Sequence, residues 1–99
     1  MRARGSTYWC WANSSLHSRC HAEAYVDGVS IDVEVRLSTE GLTQLFVGVY
    51  ASEGMALLEE VYDTRLEETM TQALAWGVVR ARTTAALCSL LVCRLWDPR

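Results

Sequence analysis

The chain contains no lysine and a single proline, Pro98. All nine basic residues are therefore arginines, which we attribute to the codon usage of a GC-rich genome, because selection for bidentate phosphate contacts fits an acidic protein poorly. The near absence of proline, with 51% hydrophobic and 21% charged residues, excludes a disordered or proline-rich chain. Ninety-nine residues are enough for one domain built around one core.

Long apolar runs are also absent. Arg2 and Arg4 near the start are not followed by the apolar run of about 7 to 15 residues that a secretory signal needs. The apolar stretch 85–96 contains Arg94 and is shorter than the roughly 20 residues of a membrane-spanning helix. The sequence therefore predicts a cytoplasmic protein that does not insert into a membrane.

Motifs that would identify a reaction or a metal are missing. There is no Cys-x-x-Cys pair, no Gly-x-Ser-x-Gly, no His-Glu-x-x-His and no glycine-rich phosphate loop. The spacing of the four cysteines relative to His17 and His21 favours buried free thiols over a zinc site. Neighbouring carboxylates such as Glu59 and Glu60 diverge on a strand. We therefore expect no enzyme activity, no metal and no cofactor.

Charge is distributed unevenly, although the net charge is only −3. Residues 20–68 contain eleven acids and two bases, whereas residues 1–19 contain three arginines and no acid. Such an acidic middle repels phosphate and attracts basic protein surfaces. The electrostatics predict a protein partner rather than direct nucleic-acid binding. Tyr8, Trp9 and Trp11 could stack on bases, but aromatic residues of this kind more often pack against the domain or a second subunit.

Two alternating runs that flank Asp27 and Gly28 predict a β-hairpin with a two-residue type I′ turn. Pairing Val26 with Val29 sets the register of the two strands. The predicted core face then carries Cys20, Ala22, Ala24, Val26, Val29, Ile31, Val33 and Val35. The other face is polar and lies in solvent or against a basic partner.

A second hairpin is predicted from residues 42–51 and 55–62, joined by a three-residue turn with Gly54 at the position of positive φ. A helix over 55–62 is the alternative, because Met55, Leu58 and Tyr62 also fit a helical stripe. With Ala51 opposite Met55, the core face continues through Leu45, Val47, Val49, Ala51, Met55, Leu57 and Val61.

The pattern Thr64 to Glu67 is that of a capping box, which predicts a helix beginning at Arg65. Its apolar stripe continues to residue 81, and residues 85–96 either extend this helix or fold back as a short one.

We predict an α+β fold: a four-stranded antiparallel meander over 20–62 with a long C-terminal helix packed on one face. Residues 19–99 form this single domain, with helical structure over 65–96, and residues 1–18 precede it as an arm or short helix.

One helix cannot cover both faces of a four-stranded sheet, so apolar surface is left over. Exposed apolar patches of more than a few hundred Å² usually mark interaction sites. We therefore predict a homodimer or a complex with another protein of basic or apolar surface, formed through the sheet face, the terminal helix or both. The candidate partner-binding residues are Phe46, Tyr50, Leu58, Tyr62, Leu87, Leu90, Leu91 and Trp96.

In its length, its acidity and the helix from Glu67 to Arg82, the chain resembles the small bacterial antiactivators that bind LuxR-type quorum-sensing regulators. The resemblance implies that the apolar helix face or the sheet competes for the regulator's dimer interface. We accordingly expect a non-catalytic regulatory protein that occludes a surface of a larger protein, such as a transcription regulator.

Two other functions stay open. One is a ligand-binding or enzymatic homodimer whose cleft is lined by Tyr25, Tyr50, Tyr62 and Glu60. The other is an acidic mimic of nucleic acid that inhibits a DNA-binding enzyme, whose binding would weaken steeply with salt.

Overall fold

The computed structural model describes residues 4–13, 15–65 and 68–95, with residues 88–95 described as helical backbone only. The predicted α+β class is confirmed: a four-stranded antiparallel sheet in the order β1-β2-β3-β4 carries a long C-terminal helix on one face. The predicted strand over 55–62 is also confirmed against its helical alternative. The elements are α1 Ser6–Trp11, β1 Ser18–Ala24, β2 Ser30–Leu37, β3 Thr43–Tyr50, β4 Ala56–Tyr62 and α2 Met70–Leu95.

The register predicted for the first hairpin is wrong by one residue. Tyr25, not Val26, pairs with Val29, and Gly28 has a φ of 88° at the end of a three-residue loop. Because side chains alternate along a strand, a shift of one residue moves all of β1 to the opposite face. Glu23 therefore lies on the face that α2 covers, whereas Cys20, predicted to be buried, is exposed on the other face.

The second hairpin has the predicted three-residue turn, with Gly54 at a φ of 89° and Ala51 paired with Met55. Its register then changes, because Tyr50 pairs with Ala56 but Val49 pairs with Leu58. Leu57 is thus the extra residue of a β-bulge. The predicted core positions Leu57 and Val61 are wrong for this reason, and the predicted core position Met55 is wrong because it is 63% exposed beside the turn. Their places on the face under α2 are taken by Leu58, Glu60 and Tyr62.

Helix α2 begins at Met70, five residues after the predicted start. The capping box is formed by Thr69 and Gln72: the Thr69 hydroxyl accepts a hydrogen bond from the Gln72 N–H, and Gln72 Oε1 accepts one from the Thr69 N–H. The Arg65 N–H instead donates to the Thr43 carbonyl at 2.8 Å, which holds the connector against β3. Past Thr84 the helix extends to Leu95 without folding back.

Small residues let α2 lie close to the sheet. Ala73, Ala81 and Ala85 are buried, and Gly77 lies between them in the same stripe. A Cβ atom on Gly77 would lie 2.7 Å from Val33 Cγ1, so the helix would have to move away from the sheet. The buried core under α2 comprises Val29, Ile31, Val33, Val35, Leu45, Val47, Val49, Ala73, Ala81 and Ala85. Within the described residues, no helix has both the length and the apolar character needed to cross a membrane.

On the opposite face of the sheet, α1 and the residues before it cover β2, β3 and β4, while Cys20, Ala22 and Ala24 of β1 are exposed. Tyr8 and Trp11 pack on Phe46, with ring centroids 4.9 and 5.8 Å from the Phe46 ring. This confirms that these two aromatic residues pack against the domain. The expectation that one sheet face stays uncovered is wrong, because the N-terminal arm supplies a second layer.

Candidate interaction surface

Exposed apolar side chains from three segments of the chain lie at one end of the molecule. The β1–β2 and β3–β4 turns lie at this end and touch, since a Cβ on Gly28 would come within 2.5 Å of the Ser52 Cβ. Val26 in the first turn is fully exposed, Met55 after the second turn is 63% exposed, and Leu87 of α2 is 56% exposed. We call this region, with Tyr25, Leu57 and Ala86, the apolar end.

A groove of about 820 Å³ opens at the apolar end between the β1–β2 turn and α2. Its walls are the side chains of Tyr25 and Val26 on one side and of Ala85 and Ala86 on the other. Glu23 and Arg82 also line it, and Asp27 stands at its rim. The surface is mainly apolar with a few charged groups, which is the composition of a site for an apolar side chain or helix.

The charge of Glu23 is matched within the chain. Its carboxylate accepts hydrogen bonds from the Arg82 guanidinium and from the Tyr25 hydroxyl at 2.6 Å, and His21 Nε2 lies 2.8 Å away. The Arg82 hydrogen bond, followed by those from Tyr25 and His21, holds the pKa of Glu23 well below its usual range. The groove therefore contains a stable ion pair rather than a carboxylate ready for acid or base catalysis.

Two ion pairs attach α2 to opposite edges of the sheet. Arg80 binds Glu60 on β4 with an N–O distance of 2.8 Å, and Arg82 binds Glu23 on β1. The buried Ala81 lies between the two arginines and faces the core. The residues that α2 presents to solvent, including Val79 at 61% exposure, are therefore oriented by contacts on both sides.

The predicted partner-binding residues separate into three groups. Leu87 is exposed at the apolar end, and the helical backbone continues through Leu90 and Leu91, while Trp96 lies outside the described residues. Leu58 and Tyr62 are partly buried against the core under α2. The remaining two, Phe46 and Tyr50, are fully buried on the other face, so the expectation that they form exposed surface is wrong. Val26, Met55 and Ala86 belong to the surface and were not predicted.

The layer under α1 is polar as well as aromatic. Arg4 forms an ion pair with Asp32, and the Tyr8 hydroxyl donates to Glu34 at 2.9 Å. Burial, followed by this hydrogen bond, raises the pKa of Tyr8 to about 12. Tyr50 donates to Glu59 on this same face. The layer is a structural contact between the arm and the sheet, in which the buried Trp11 Nε1 has no hydrogen-bond partner among the described residues.

The predicted aromatic cleft is not assembled. Tyr50 lies under α1, whereas Tyr62 and Glu60 lie on the face covered by α2, where the Tyr62 hydroxyl donates to Glu60 at 2.8 Å. Tyr50 lies on the opposite face from Glu60 and Tyr62 because the bulge at Leu57 shifts the alternation of side chains along β4 by one residue. Tyr25 lines the groove instead.

Cysteine and histidine residues do not converge in the described part of the chain. Cys10 and Cys20 are free and exposed, and burial raises the pKa of the Cys20 thiol. No group of three or more His, Cys, Asp or Glu side chains among the residues that the structure describes could hold a metal ion.

No protein-family model matches this chain, and no curated protein or solved structure shows significant similarity to it. Its function is therefore inferred from the geometry of the surface.

Proposed function

We propose that this chain is a small, non-catalytic regulatory protein whose apolar end docks on a larger protein and occludes a functional surface there. More specifically, we propose that the target is a transcription regulator and that the chain is its cytoplasmic antiactivator. The observation that supports this proposal is the apolar groove between the β1–β2 turn and α2, whose walls include Tyr25, Val26 and Ala86, with the exposed Met55 and Leu87 at the same end of the molecule. Isolated exposed apolar residues are common on monomers, but a contiguous cluster of them is typical of an interface.

The chemistry of the apolar end suggests what it binds. The groove walls are apolar, and the acids Asp27 and Glu53 are exposed in the two adjacent turns. A complementary partner therefore presents an apolar helix or ridge flanked by basic residues. Apolar contact supplies most of the affinity of such an interface, while the charges mainly raise the association rate. Binding should accordingly persist in about 0.5 M salt.

The distribution of the acids disfavours the alternative of a nucleic-acid mimic. Asp32 and Glu34 are buried under α1. Ion pairs with arginine neutralise three further acids, namely Glu23, Glu60 and Glu68. Such a mimic needs an exposed array of unneutralised carboxylates, and these five positions do not provide one.

The test is affinity capture from the native host with matched variants. Leu87→Glu places a charge in the apolar end, and Leu42→Glu makes the same change at an exposed position at the opposite end of the sheet. We expect the wild type and Leu42→Glu to retain the same stoichiometric partner in low and high salt, and Leu87→Glu to lose it. Equal capture by both variants would place binding elsewhere and contradict the proposal.

The inhibitory step needs a second measurement on the captured target. If the target is a transcription regulator, adding the wild-type chain at stoichiometric amounts should abolish its binding to operator DNA, and adding Leu87→Glu should not. A target that retains full DNA binding while bound to the chain would exclude antiactivation.

A further inference from the structure

Strand β1 forms a free edge of the sheet. It pairs with β2 on one side, and no described residue pairs with it on the other. Most of its seven residues are exposed, because α2 lies chiefly over β2 and β3 and α1 contacts β4. The unpaired main-chain groups of an exposed edge can form hydrogen bonds with a strand of another chain.

The hydrogen bonds at the two ends of β1 show which of its main-chain groups are free. The Tyr25 N–H donates to the Val29 carbonyl at 2.8 Å, and the Leu37 N–H donates to the His17 carbonyl at 3.1 Å. Hydrogen-bonded pairs alternate along an antiparallel ladder, so the odd-numbered residues from 17 to 25 direct their main chain toward β2. The residues that direct their N–H and C=O groups outward are therefore Ser18, Cys20, Ala22 and Ala24.

We infer that this edge binds the same edge of a second copy of this chain, so that two β1 strands pair antiparallel across a twofold axis at His21. The inference goes beyond the proposed function, because it concerns a different surface and purified protein tests it with no target present. In a twofold interface each patch meets its own copy, so one edge is sufficient for both subunits.

The main-chain pattern selects this register. Outward-facing residues must pair with outward-facing residues, and a register centred on His21, the midpoint of β1, achieves this over all seven residues. Cys20 then pairs with the second copy's Ala22, and about eight main-chain hydrogen bonds form between the two strands. A shift of one residue would set outward-facing groups against inward-facing ones, and a shift of two would shorten the paired segment.

The side chains of β1 suit the same register. On the side that faces α2, Arg19 lies across from the second copy's Glu23, and symmetry repeats this pair of opposite charges. Glu23 keeps its hydrogen bonds to Arg82, while the Arg19 guanidinium donates to the uncharged Thr71 hydroxyl at 3.0 Å. On the other side the facing residues are small and exposed, namely Cys20, Ala22 and Ala24.

The other edge strand, β4, lacks these properties. The bulge at Leu57 interrupts its ladder, and the Gly5 N–H of the arm donates to Glu59 at 2.8 Å. Pairing β4 with its own copy about its midpoint would place Glu59 opposite Glu59, and like charges in this position are destabilising. Bulges and charges of this kind protect an edge from pairing. The self-complementary edge is therefore that of β1.

The first test is the mass of the purified 99-residue chain by light scattering at concentrations up to about 0.1 mM, well above the Kd of a micromolar complex. We expect twice the monomer mass for the wild type. Ala22→Pro removes an outward N–H, a change that an edge strand tolerates, and should give the monomer mass. Ala22→Ser keeps this N–H and should give the dimer. Circular dichroism shows whether each variant is folded.

A folded wild type that is monomeric throughout, or a dimer that a folded Ala22→Pro variant does not weaken, would overturn the inference. Leu87→Glu separates this dimer from target binding, since position 87 lies outside the paired strands. This variant should stay dimeric while it loses the target. Loss of the dimer in Leu87→Glu would place self-association at the apolar end and would also overturn the inference.

The second test determines the register by disulfide cross-linking, with the four native cysteines replaced by alanine. His21→Cys lies on the twofold axis in a non-hydrogen-bonded pair, where the two Cα atoms are about 4.5 Å apart, and should form a disulfide-linked dimer under mild oxidation. Arg19→Cys should not, because it lies about 14 Å along the strand from its copy. Cross-linking of both variants would indicate parallel strands, and cross-linking of neither would place β1 outside the interface; either result overturns the proposed dimer.

Discussion

The Tyr50 hydroxyl donates a hydrogen bond of 2.7 Å to Glu59 Oε2, and the Tyr50 side chain lies over Gly48. A Cβ on Gly48 would come within 2.6 Å of the Tyr50 hydroxyl oxygen and 2.9 Å of its ring carbons. Gly48→Ala should therefore lower the free energy of unfolding by about 1 to 3 kcal/mol, the usual cost of overpacking. Urea denaturation of the purified variant measures this change.

The same substitution in a Tyr50→Ala background is the control. Once the aromatic side chain is removed, the new methyl group at position 48 has room, and glycine inside a strand costs roughly 0.5 to 1 kcal/mol relative to alanine. Gly48→Ala should then be neutral or stabilising. An equal loss in both backgrounds would show that Tyr50 is not the reason for glycine at this position.

The two threonines that could cap α2 give a second prediction. Thr69→Ala removes the side-chain cap from the Gln72 N–H and should destabilise the protein by about 0.5 to 2 kcal/mol. Thr64→Ala, the matched change at the sequence-predicted cap, should alter stability by less than about 0.5 kcal/mol, since it lies outside the helix on an exposed site. Thermal or urea unfolding of both variants decides between the two helix starts. A larger loss at Thr64 would place the helix start five residues earlier.

The ion pair between Glu23 and Arg82 predicts that the free energy of unfolding decreases at acid pH. The folded-state pKa of Glu23 is lowered, chiefly by the Arg82 hydrogen bond. The contribution of Glu23 to the free energy of unfolding is therefore present above the unfolded pKa of about 4.5 and is lost as pH falls through the folded-state pKa. Glu23→Gln should cost up to about 1 kcal/mol at pH 7, since the pair is partly exposed. Its difference from the wild type should shrink steadily in urea titrations below pH 4.5. A difference independent of pH would exclude the ion pair as its source.

The raised pKa values of the four tyrosines predict that the protein becomes less stable at alkaline pH. Burial raises the pKa of Tyr8 to about 12, and burial also raises those of Tyr25, Tyr50 and Tyr62 above 10. The contribution of the protonated tyrosines to the free energy of unfolding is therefore complete below pH 10 and is lost as pH rises through their folded-state pKa values. Tyrosinate absorbance should show no tyrosine titrating at about 10 in the folded protein, and all four near 10 in urea. Tyr8→Phe should remove the transition near 12.

Turn positions were predictable from sequence, but turn lengths were only partly so. Asp27 and Gly28 suit both a two-residue and a three-residue loop, because either places glycine at positive φ. The observed loop brings Glu23 to the face where Arg82 lies, 59 residues later in the chain. That contact favours the observed register, and a local pattern cannot show it.

The helix start illustrates the same limit. Thr64 to Glu67 and Thr69 to Gln72 both match a capping box, so local chemistry permits either start. The Thr43 hydroxyl donates to the Glu68 carbonyl at 2.9 Å, which holds the connector along β3. A tertiary contact thus decides between two equivalent local signals.

The packing of α1 on the second sheet face was the main structural feature that sequence reasoning missed. Tyr8 and Trp11 are three residues apart, which places them on one side of a helix, and Arg4 precedes Tyr8 by four. This spacing was the available signal. The three side chains can contact Phe46, Glu34 and Asp32 together only when β2 lies beside β3. The register of the sheet determines this arrangement, and the spacing alone does not show it.

The attachment of α2 at both edges of the sheet has a consequence for how fast and how tightly its outer face can bind. Arg80 and Arg82 hold the helix against rotation about its axis, so Val79 and Leu87 point outward before any partner arrives. Ordering a rotamer-rich side chain on binding costs about 0.5 to 1.5 kcal/mol, and a surface already ordered avoids much of that cost. Encounter, rather than refolding, would then set the association rate, and affinity would be governed by the dissociation rate.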